Sequence, residues 1–543
     1  MSPKIEKVDV ATVLKIINGL KNSTATGVDY VDTRTLKIIA DKIAPVLAHI
    51  INLSIEFSIF PTMWKWAKVV PLLKSVSMDP IIPKSYRPVA LLPIMSKVME
   101  KAVFSQLIKY LEKNGLIHPN LHGSRSGHDT STALLQLYDK WVEELEEGKT
   151  VGVLFCDQSA AFDLCDHNLI LQKLEILGFE SSSLEWIKSY LEKRIQSCCV
   201  DGELSKPIDL LECGVPQGSV GGPLLWLIFT CDQPDSVHDH MIDGADSHRG
   251  CSNPAYQCGD LVGYVDDGAY SFGHKDPEVV SRVLNDKYDS LEEWMAENKL
   301  VMNPEKTHFM ILGPKKINRD TFSITAGEYT IKPTESEKLL GCHINQSLKW
   351  NDHLVDSKSS MVGQLHVRNN ALKRVSFNAA FKTRLMLANG IFHSKLVYLI
   401  NVWGGAPIYL LKALQVQQMI AARTVCGFQC ARWSRSRILK TVGWLSVRQL
   451  IEFHAILQVH KTLGSGYPRL LYEDFNCDHP YQTRSAANKN IRLASDSSSV
   501  KTFKYRAMMS YNKVPADIRG GSLVTVKKKL KKWVTHNVDV HWP

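Results

Sequence analysis

Residues 151–157 read Val-Gly-Val-Leu-Phe-Cys-Asp, an apolar run that ends on a carboxylate. The run follows Gly148-Lys149-Thr150 and has the signature of a buried strand. An aspartate in that position is costly to bury unless a cation meets it. A second acidic feature lies 109 residues on, where 261–272 (LVGYVDDGAYSF) alternates like a hairpin with Asp266-Asp267-Gly268 at its tip. Carboxylates brought together repel and raise each other's pKa unless divalent metal neutralises them. Aspartates from two strands holding a pair of Mg²⁺ ions are what phosphoryl or nucleotidyl transfer requires. One ion activates the attacking hydroxyl and the other stabilises the leaving pyrophosphate. A lone Asp-Asp usually marks an ordinary turn; its pairing with the strand aspartate constrains the chain.

Around these features, strands and helices alternate early and helices dominate late. Helical spacing covers 8–20, 33–59, 94–113 and about 130–147, the last with Asp129 and Ser131 as candidate N-caps. Residues 68–73 read as a short strand and 77–88 as a loop ending in Tyr86-Arg87-Pro88. Helices are expected over 167–177, 183–193, 223–231 and 277–299, and a hairpin over 195–201 and 207–213. Strand signals return at 307–312, 322–332 and 338–345, and beyond about 352 the pattern is helical. This predicts an α/β or α+β core followed by an α-helical region, and the α+β class is the one adopted.

A chain of 543 residues that is 44% hydrophobic and 22% charged builds large cores, which excludes a mainly disordered or collagen-like protein. No run approaches the ~18 uninterrupted apolar residues of a membrane span, and the N-terminal MSPKIEKVDV lacks the apolar core of a signal peptide. The expectation is a soluble intracellular protein with no membrane partner. Single, scattered cysteines suit a reducing compartment. His238, His240, Cys251 and Cys258 share a polar loop, but their spacing matches no ordinary zinc pattern. Cys426 and Cys430 fall one helical turn apart and read as core. Charge is uneven: residues 351–543 hold 29 Lys and Arg against 9 Asp and Glu, net +20, which leaves −10 on residues 1–350. A basic C-terminal third suggests a polyanion partner, or solvated helix faces.

Six collinear segments then carry a resemblance. They are Tyr86-Arg87-Pro88, Asp157 to Asp163 with Asp166-His167, Gly214-Val215-Pro216-Gln217-Gly218-Ser219, Tyr264-Val265-Asp266-Asp267, Asn303 to Thr307, and Leu339-Leu340-Gly341. In order and distance they resemble the reverse transcriptases of non-LTR (LINE-type, jockey-like) retrotransposons, over nearly the whole chain. The resemblance implies a right-hand polymerase with an antiparallel palm sheet. Fingers and palm would occupy residues 1–350 (catalytic core about 65–345), a helical thumb 351–470 and a basic extension 471–543. It implies an RNA template, a DNA primer or target, dNTPs, and two Mg²⁺ ions, with Mn²⁺ as a substitute; protein partners stay open. The site of action would be nuclear, with passage through the cytoplasm.

Carried onto matching positions, Asp157 and Asp266 are the metal ligands and Asp267 the adjacent carboxylate. Phe162 is an aromatic gate against a ribose 2′-hydroxyl, or a ring packed under the following helix. Gln217 touches the nascent base pair or sugar, with Gly214 and Gly218 letting backbone approach the template. Arg87 and Lys74 are triphosphate clamps, although Lys84 fits as well as Lys74. Lys306 protonates departing pyrophosphate, or is a surface lysine at a strand edge. Leu340-Gly341 lies in the hairpin that grips the primer terminus. Three positions depart from the pattern: Ser124 in place of an aromatic, Gln158 in place of an apolar residue, and Gly221 in place of a large aliphatic. Loss of that aliphatic would cost ~2–4 kcal/mol if the site is core.

Elements of this type carry an apurinic-like endonuclease ahead of the polymerase, and this sequence starts essentially at the polymerase segment. No Gly-rich GKS/GKT phosphate loop occurs in it. Two rivals remain: an RNA-dependent RNA polymerase, and a catalytically decayed remnant that only binds nucleic acid. The tail Lys527-Lys528-Lys529-Leu530-Lys531-Lys532-Trp533 predicts a helix with Val526, Leu530, Trp533 and Val534 as its apolar stripe. Its lysines would meet a phosphate backbone, or form a solvated helix end or nuclear-import signal.

Overall fold

A computed structural model describes residues 4–75, 78–158, 161–210, 213–237, 261–314, 316–427, 430–475, 490–491 and 501–540. In chain order the strands are β1 (Trp66–Leu73), β2 (Tyr86–Leu91), β3 (Thr150–Asp157), β4 (Ile195–Val200), β5 (Glu203–Leu204) and β6 (Ile208–Asp209). Then follow β7 (Leu261–Tyr264), β8 (Asp267–His274), β9 (His308–Leu312), β10 (Ile324–Ala326), β11 (Tyr329–Ile331), β12 (Ser336–Leu339) and β13 (Cys342–Asn345). The chain divides into two compact units built from interleaved segments. One takes residues 1–124, 157–259 and 289–303, and the other 125–156, 260–288 and 304–543.

In the first unit the sheet runs β2-β1-β4-β5, with β6 also on β4. Residues 86–88 thus open a strand and do not close a loop, because β1 takes β2 antiparallel with Leu72 opposite Arg87 and Pro71 opposite Pro88. On its other side β1 pairs with β4 only over Trp66–Val69, so the missing N–H of Pro71 costs that edge nothing. The helix Ile94–Lys113 follows β2. Its Phe104 packs edge-on against Trp186 and Tyr190, which also meet Phe60 in the same geometry.

In the second unit the sheet order is β7-β8-β3-β9, with β3 and β9 antiparallel from Val151 opposite Leu312 to Phe155 opposite His308. Val151, Val153 and Phe155 join Leu134, Leu137 and Trp141 of the helix Thr130–Glu146 in one apolar cluster. On the alternate register a Cβ at Gly152 would lie 2.6 Å from Leu284, so glycine lets the helix Pro277–Glu297 close against the strand. Asp129 starts the helix Thr130–Glu146 with a reciprocal capping box to Thr132, both bonds at 2.9 Å. The expected strand signals at 322–332 and 338–345 are two hairpins, β10–β11 and β12–β13.

The apolar cluster that begins on this sheet continues through the helices Ile408–Cys426 and Val447–Ser465 to Leu530 and Val534. Phe503, Ala507, Met508, Tyr511, Val514, Leu530 and Val534 are therefore part of this unit's core. Asp139 reinforces that: its buried carboxylate accepts from the amides of Phe503 (2.7 Å) and Lys504 (2.9 Å) at the start of the helix Phe503–Asn512. The tail helix Leu523–Asn537 buries Val526, Leu530 and Val534 against the helix Val447–Ser465, with Trp533 partly buried and all five lysines exposed. Cys426 and Cys430 are buried, and the described cysteines are free thiols. No helix among the described residues is long and apolar enough to cross a membrane. The His238, His240, Cys251 and Cys258 loop lies outside the described residues.

Candidate functional site

β3 ends at Asp157, the residue at which the chain passes from the second unit to the first, while its neighbour β8 opens at Asp267 and β7 and β8 join through Val265-Asp266. The hairpin tip is one residue earlier than expected, since Asp267 pairs with Tyr264 inside the ladder. Val265 has φ +61, a left-handed conformation at the position that glycine favours in two-residue hairpin turns. A β-branched residue held there stores strain, which persists where the surrounding sheet over-determines the turn. Asp266 and Asp267 are both exposed. Of Asp157 only its place at the end of β3 is described.

The donors offered are hard carboxylate oxygens. Burial pushes the Cys156 thiol, beside Asp157 in sequence, up to about 12, which removes a soft ligand. Such a set suits Mg²⁺ or Mn²⁺. Among the described residues no three His, Cys, Asp or Glu side chains gather as a complete metal cage. Lys306 is exposed in the turn before β9, the strand on the other side of β3. Leu340-Gly341 forms the turn between β12 and β13, both residues at positive φ, and Tyr398 Oη donates to the Leu340 carbonyl (2.7 Å).

In the first unit three of the sequence motifs touch one another. Val215 N donates to the Phe162 carbonyl (2.7 Å), Gly214 N to Cys165 (2.8 Å), and His167 Nε2 lies 2.8 Å from the Gly214 carbonyl. Burial holds His167 below its ordinary pKa, so its ring stays neutral and donates from Nε2. Ala90 N on β2 donates to the Gln217 carbonyl (2.8 Å). Gly218 sits at φ +114, where a Cβ would lie 2.5 Å from the Ala90 carbonyl oxygen, and a Cβ on Gly214 would lie 3.0 Å from that of Asp163. Both glycines thus allow close approach of the chain's own backbone.

The Gln217 amide reaches the Asp163 carboxylate at 3.3 and 3.4 Å. Burial raises the Asp163 pKa more than this bond lowers it. Asp166 caps the helix His167–Ile176 through Leu169 N (3.0 Å). Burial raises its pKa too, but the Lys299 ammonium at 2.5 Å and that amide outweigh burial and leave it lowered. Phe162 is half-buried and stacks on Trp226 at 5.8 Å between centroids. Arg87 is exposed on β2. Lys74 is exposed just past β1, its Nζ bonded to the Lys84 carbonyl (3.0 Å).

The departures have physical readings. Gly221 leaves no cavity: a Cβ there would lie 2.3 Å from the Phe104 ring, so Phe104 occupies the space and the expected loss of packing is corrected. Gln158 is buried with Oε1 lacking a hydrogen-bond partner, a cost of ~1–3 kcal/mol. Ser124 is exposed at φ +60. Sequence reading missed Glu100, which is fully buried and bonded to the Val220 and Gly221 amides. The signal that could have found it was a carboxylate set among Val98, Met99, Ala102 and Val103.

Residues 74–344 match the sequence model of the family described as reverse transcriptase (RNA-dependent DNA polymerase), and the chain belongs to that family. It is 27% identical over 425 residues to the probable RNA-directed DNA polymerase from transposon BS of Drosophila melanogaster, covering 78% of this chain and 45% of that one. It is 26% identical over 431 residues to the RNA-directed DNA polymerase from mobile element jockey of Drosophila funebris, covering 79% and 45%. The chain thus spans about half the length of these relatives. A picobirnavirus RNA-dependent RNA polymerase structure aligns over 72% of this chain and 64% of its own at 15% identity, with a TM-score of 0.36, too low to bear on the fold.

Proposed function

We propose that the chain is an RNA-directed DNA polymerase of a non-LTR retrotransposon, adding dNMP to a primer 3′-hydroxyl along an RNA template. The observation that carries this reading is the adjacency, in one sheet, of β3 ending at Asp157 and β8 opening at Asp267. In it, fingers and palm occupy residues 1–350, the helical thumb 351–470 and the basic extension 471–543, with nuclear action on a DNA target. Asp157 and Asp266 hold two Mg²⁺ ions, or Mn²⁺, with Asp267 supporting them. Bound there, the ions supply Lewis acidity to the attacking hydroxyl and the leaving pyrophosphate.

The chain's own residues do the rest. Phe162, braced by Trp226, leaves a ribose 2′-hydroxyl unpaired and so favours deoxyribose. Gln217 bears on the nascent pair from a turn that Gly218 lets seat on β2. Arg87 and Lys74 neutralise triphosphate charge, Lys306 delivers a proton to pyrophosphate, and Leu340-Gly341 grips the primer end.

Primer extension on a primed RNA template tests the reading. Extension should require a divalent cation and use dNTPs at least about tenfold better than NTPs, with Phe162→Val eroding that preference. Equal use of NTPs would point instead to an RNA polymerase. Template binding without extension in Mg²⁺ or Mn²⁺ would leave the decayed, nucleic-acid-binding remnant.

A further inference from the structure

The helix Gly222–Phe229 begins with no side-chain cap of its own. The amides ahead of it would be orphaned in an apolar setting. Glu100, from the separate helix Ile94–Lys113, supplies the acceptor. Its Oε2 takes Val220 N at 2.7 Å and Gly221 N at 3.0 Å, and its Oε1 takes the Ser96 hydroxyl at 2.7 Å. Tyr190 Oη lies 3.4 Å from Oε2. One helical turn on, Phe104 fills the place where Gly221 would carry a side chain. Glu100 and Phe104 thus form a seat that accepts residues 219–221 in one position. Ser219 closes the turn from within, donating to the Pro216 carbonyl (2.9 Å) and accepting from Gly222 N (2.8 Å).

The seat continues β2. Its Ala90 bonds the Gln217 carbonyl, and its carbonyl oxygen excludes any side chain at Gly218. Gln217 is therefore held from two sides by one strand–helix segment, while its own amide is turned to Asp163. A buried carboxylate that accepts two main-chain amides is stiff, because its bonds are charge-assisted and shielded from water.

We propose that Glu100 is a positioning residue for nucleotide selection, acting through the Gln217 turn; this rests on the polymerase reading above. It touches neither metal nor substrate. It fixes how far the turn stands from β2, and so where Gln217 meets the incoming nucleotide's pair.

The test is single-nucleotide addition by wild type, Glu100→Ala, Glu100→Gln, Gln217→Ala and the double variant Glu100→Ala/Gln217→Ala, with hydrogen exchange across 214–222. Glu100→Ala should raise the KM for dNTP about tenfold or more with kcat within about threefold, the split expected when positioning fails. Glu100→Gln keeps an acceptor oxygen and should recover most of the loss. In the Gln217→Ala background Glu100→Ala should add less than about twofold, since residues that act through one another are not additive. Exchange at the Val220 and Gly221 amides should rise in Glu100→Ala. Should that variant not fold, Glu100→Asp, one methylene shorter, should still raise KM at least about threefold.

An unchanged KM, a fully additive double variant, or equal kcat losses in the Ala and Gln variants would overturn the role. No extension by wild type overturns the polymerase reading and this role with it. Extension with a KM indifferent to Glu100 overturns this role alone.

Discussion

In the first unit, residues 86–91, 162–167 and 213–221 hold one another through main-chain hydrogen bonds and close glycine packing. In the second, Asp266 and Asp267 stand exposed at a strained turn of an otherwise buried sheet. Under the proposed function, the difference follows from what each group would have to do. A carboxylate that takes a cation has to stay open to it, so the sheet supplies only a platform. A residue that reads geometry has to be immobile, so its motif is largely packing. A substitution in the first unit should thus cost stability and position, and one at the second unit's carboxylates should cost chemistry with the fold intact.

The largest stability effect is expected at Gly218→Ala. It combines a positive φ with a Cβ 2.5 Å from the Ala90 carbonyl, for a loss of about 3–4 kcal/mol in denaturant unfolding. A loss under about 1 kcal/mol would mean that the turn is not seated on β2. Next is Gly221→Leu, an overpacking of about 1–3 kcal/mol against Phe104. Adding Phe104→Ala should relieve part of it, giving a favourable coupling of about 1 kcal/mol or more. Additive losses would break the argument that Phe104 fills that space.

In the second unit the brace at Asp139 gives a pH signature. Burial pushes its carboxyl up to about 6 despite the Phe503 and Lys504 amides. The native state then binds more protons than the unfolded chain between pH 6 and the ordinary carboxylate range, so this group's contribution to stability rises as pH falls through 6. The slope is at most about 1.4 kcal/mol per pH unit. Asp139→Asn should flatten that slope in thermal unfolding from pH 7 to 5; an unaltered slope would assign it elsewhere. The smallest effect belongs to the tail. Replacing Lys527, Lys528, Lys529, Lys531 and Lys532 with Gln should flatten the salt dependence of template-primer binding, by up to about 0.7–0.9 in slope for each phosphate no longer neutralised. Addition at saturating substrate should not change, and an unmoved slope would leave those lysines to solubility or localisation.

Local pattern made much of this architecture legible. The helix expected over 94–113 spans Ile94–Lys113, Asp129 caps its helix, and the β7–β8 hairpin carries Asp266. Three features needed tertiary partners that periodicity does not encode. β2 reads as a loop until β1 pairs with it, and β1 meets β4 in parallel across a long sequence separation. Gly221 reads as a missing side chain until Phe104 is seen to fill its place. Glu100 reads as one acidic residue on an amphipathic helix until its two amides arrive from residues 220 and 221. For the site, the motifs named the chemical groups, and packing supplied the reasons for their neighbours.

The central claim is that Asp266 serves a metal and not the fold. The direct measurement is Mg²⁺-dependent primer extension on an RNA template by wild type and Asp266→Asn, with unfolding followed on both proteins. The account predicts extension by wild type, a loss of at least about a hundredfold in Asp266→Asn, and equal or slightly higher stability in the variant, because one like charge is removed. Retention of more than about a tenth of wild-type activity by Asp266→Asn would contradict it, since removing a metal ligand should raise the barrier by several kcal/mol.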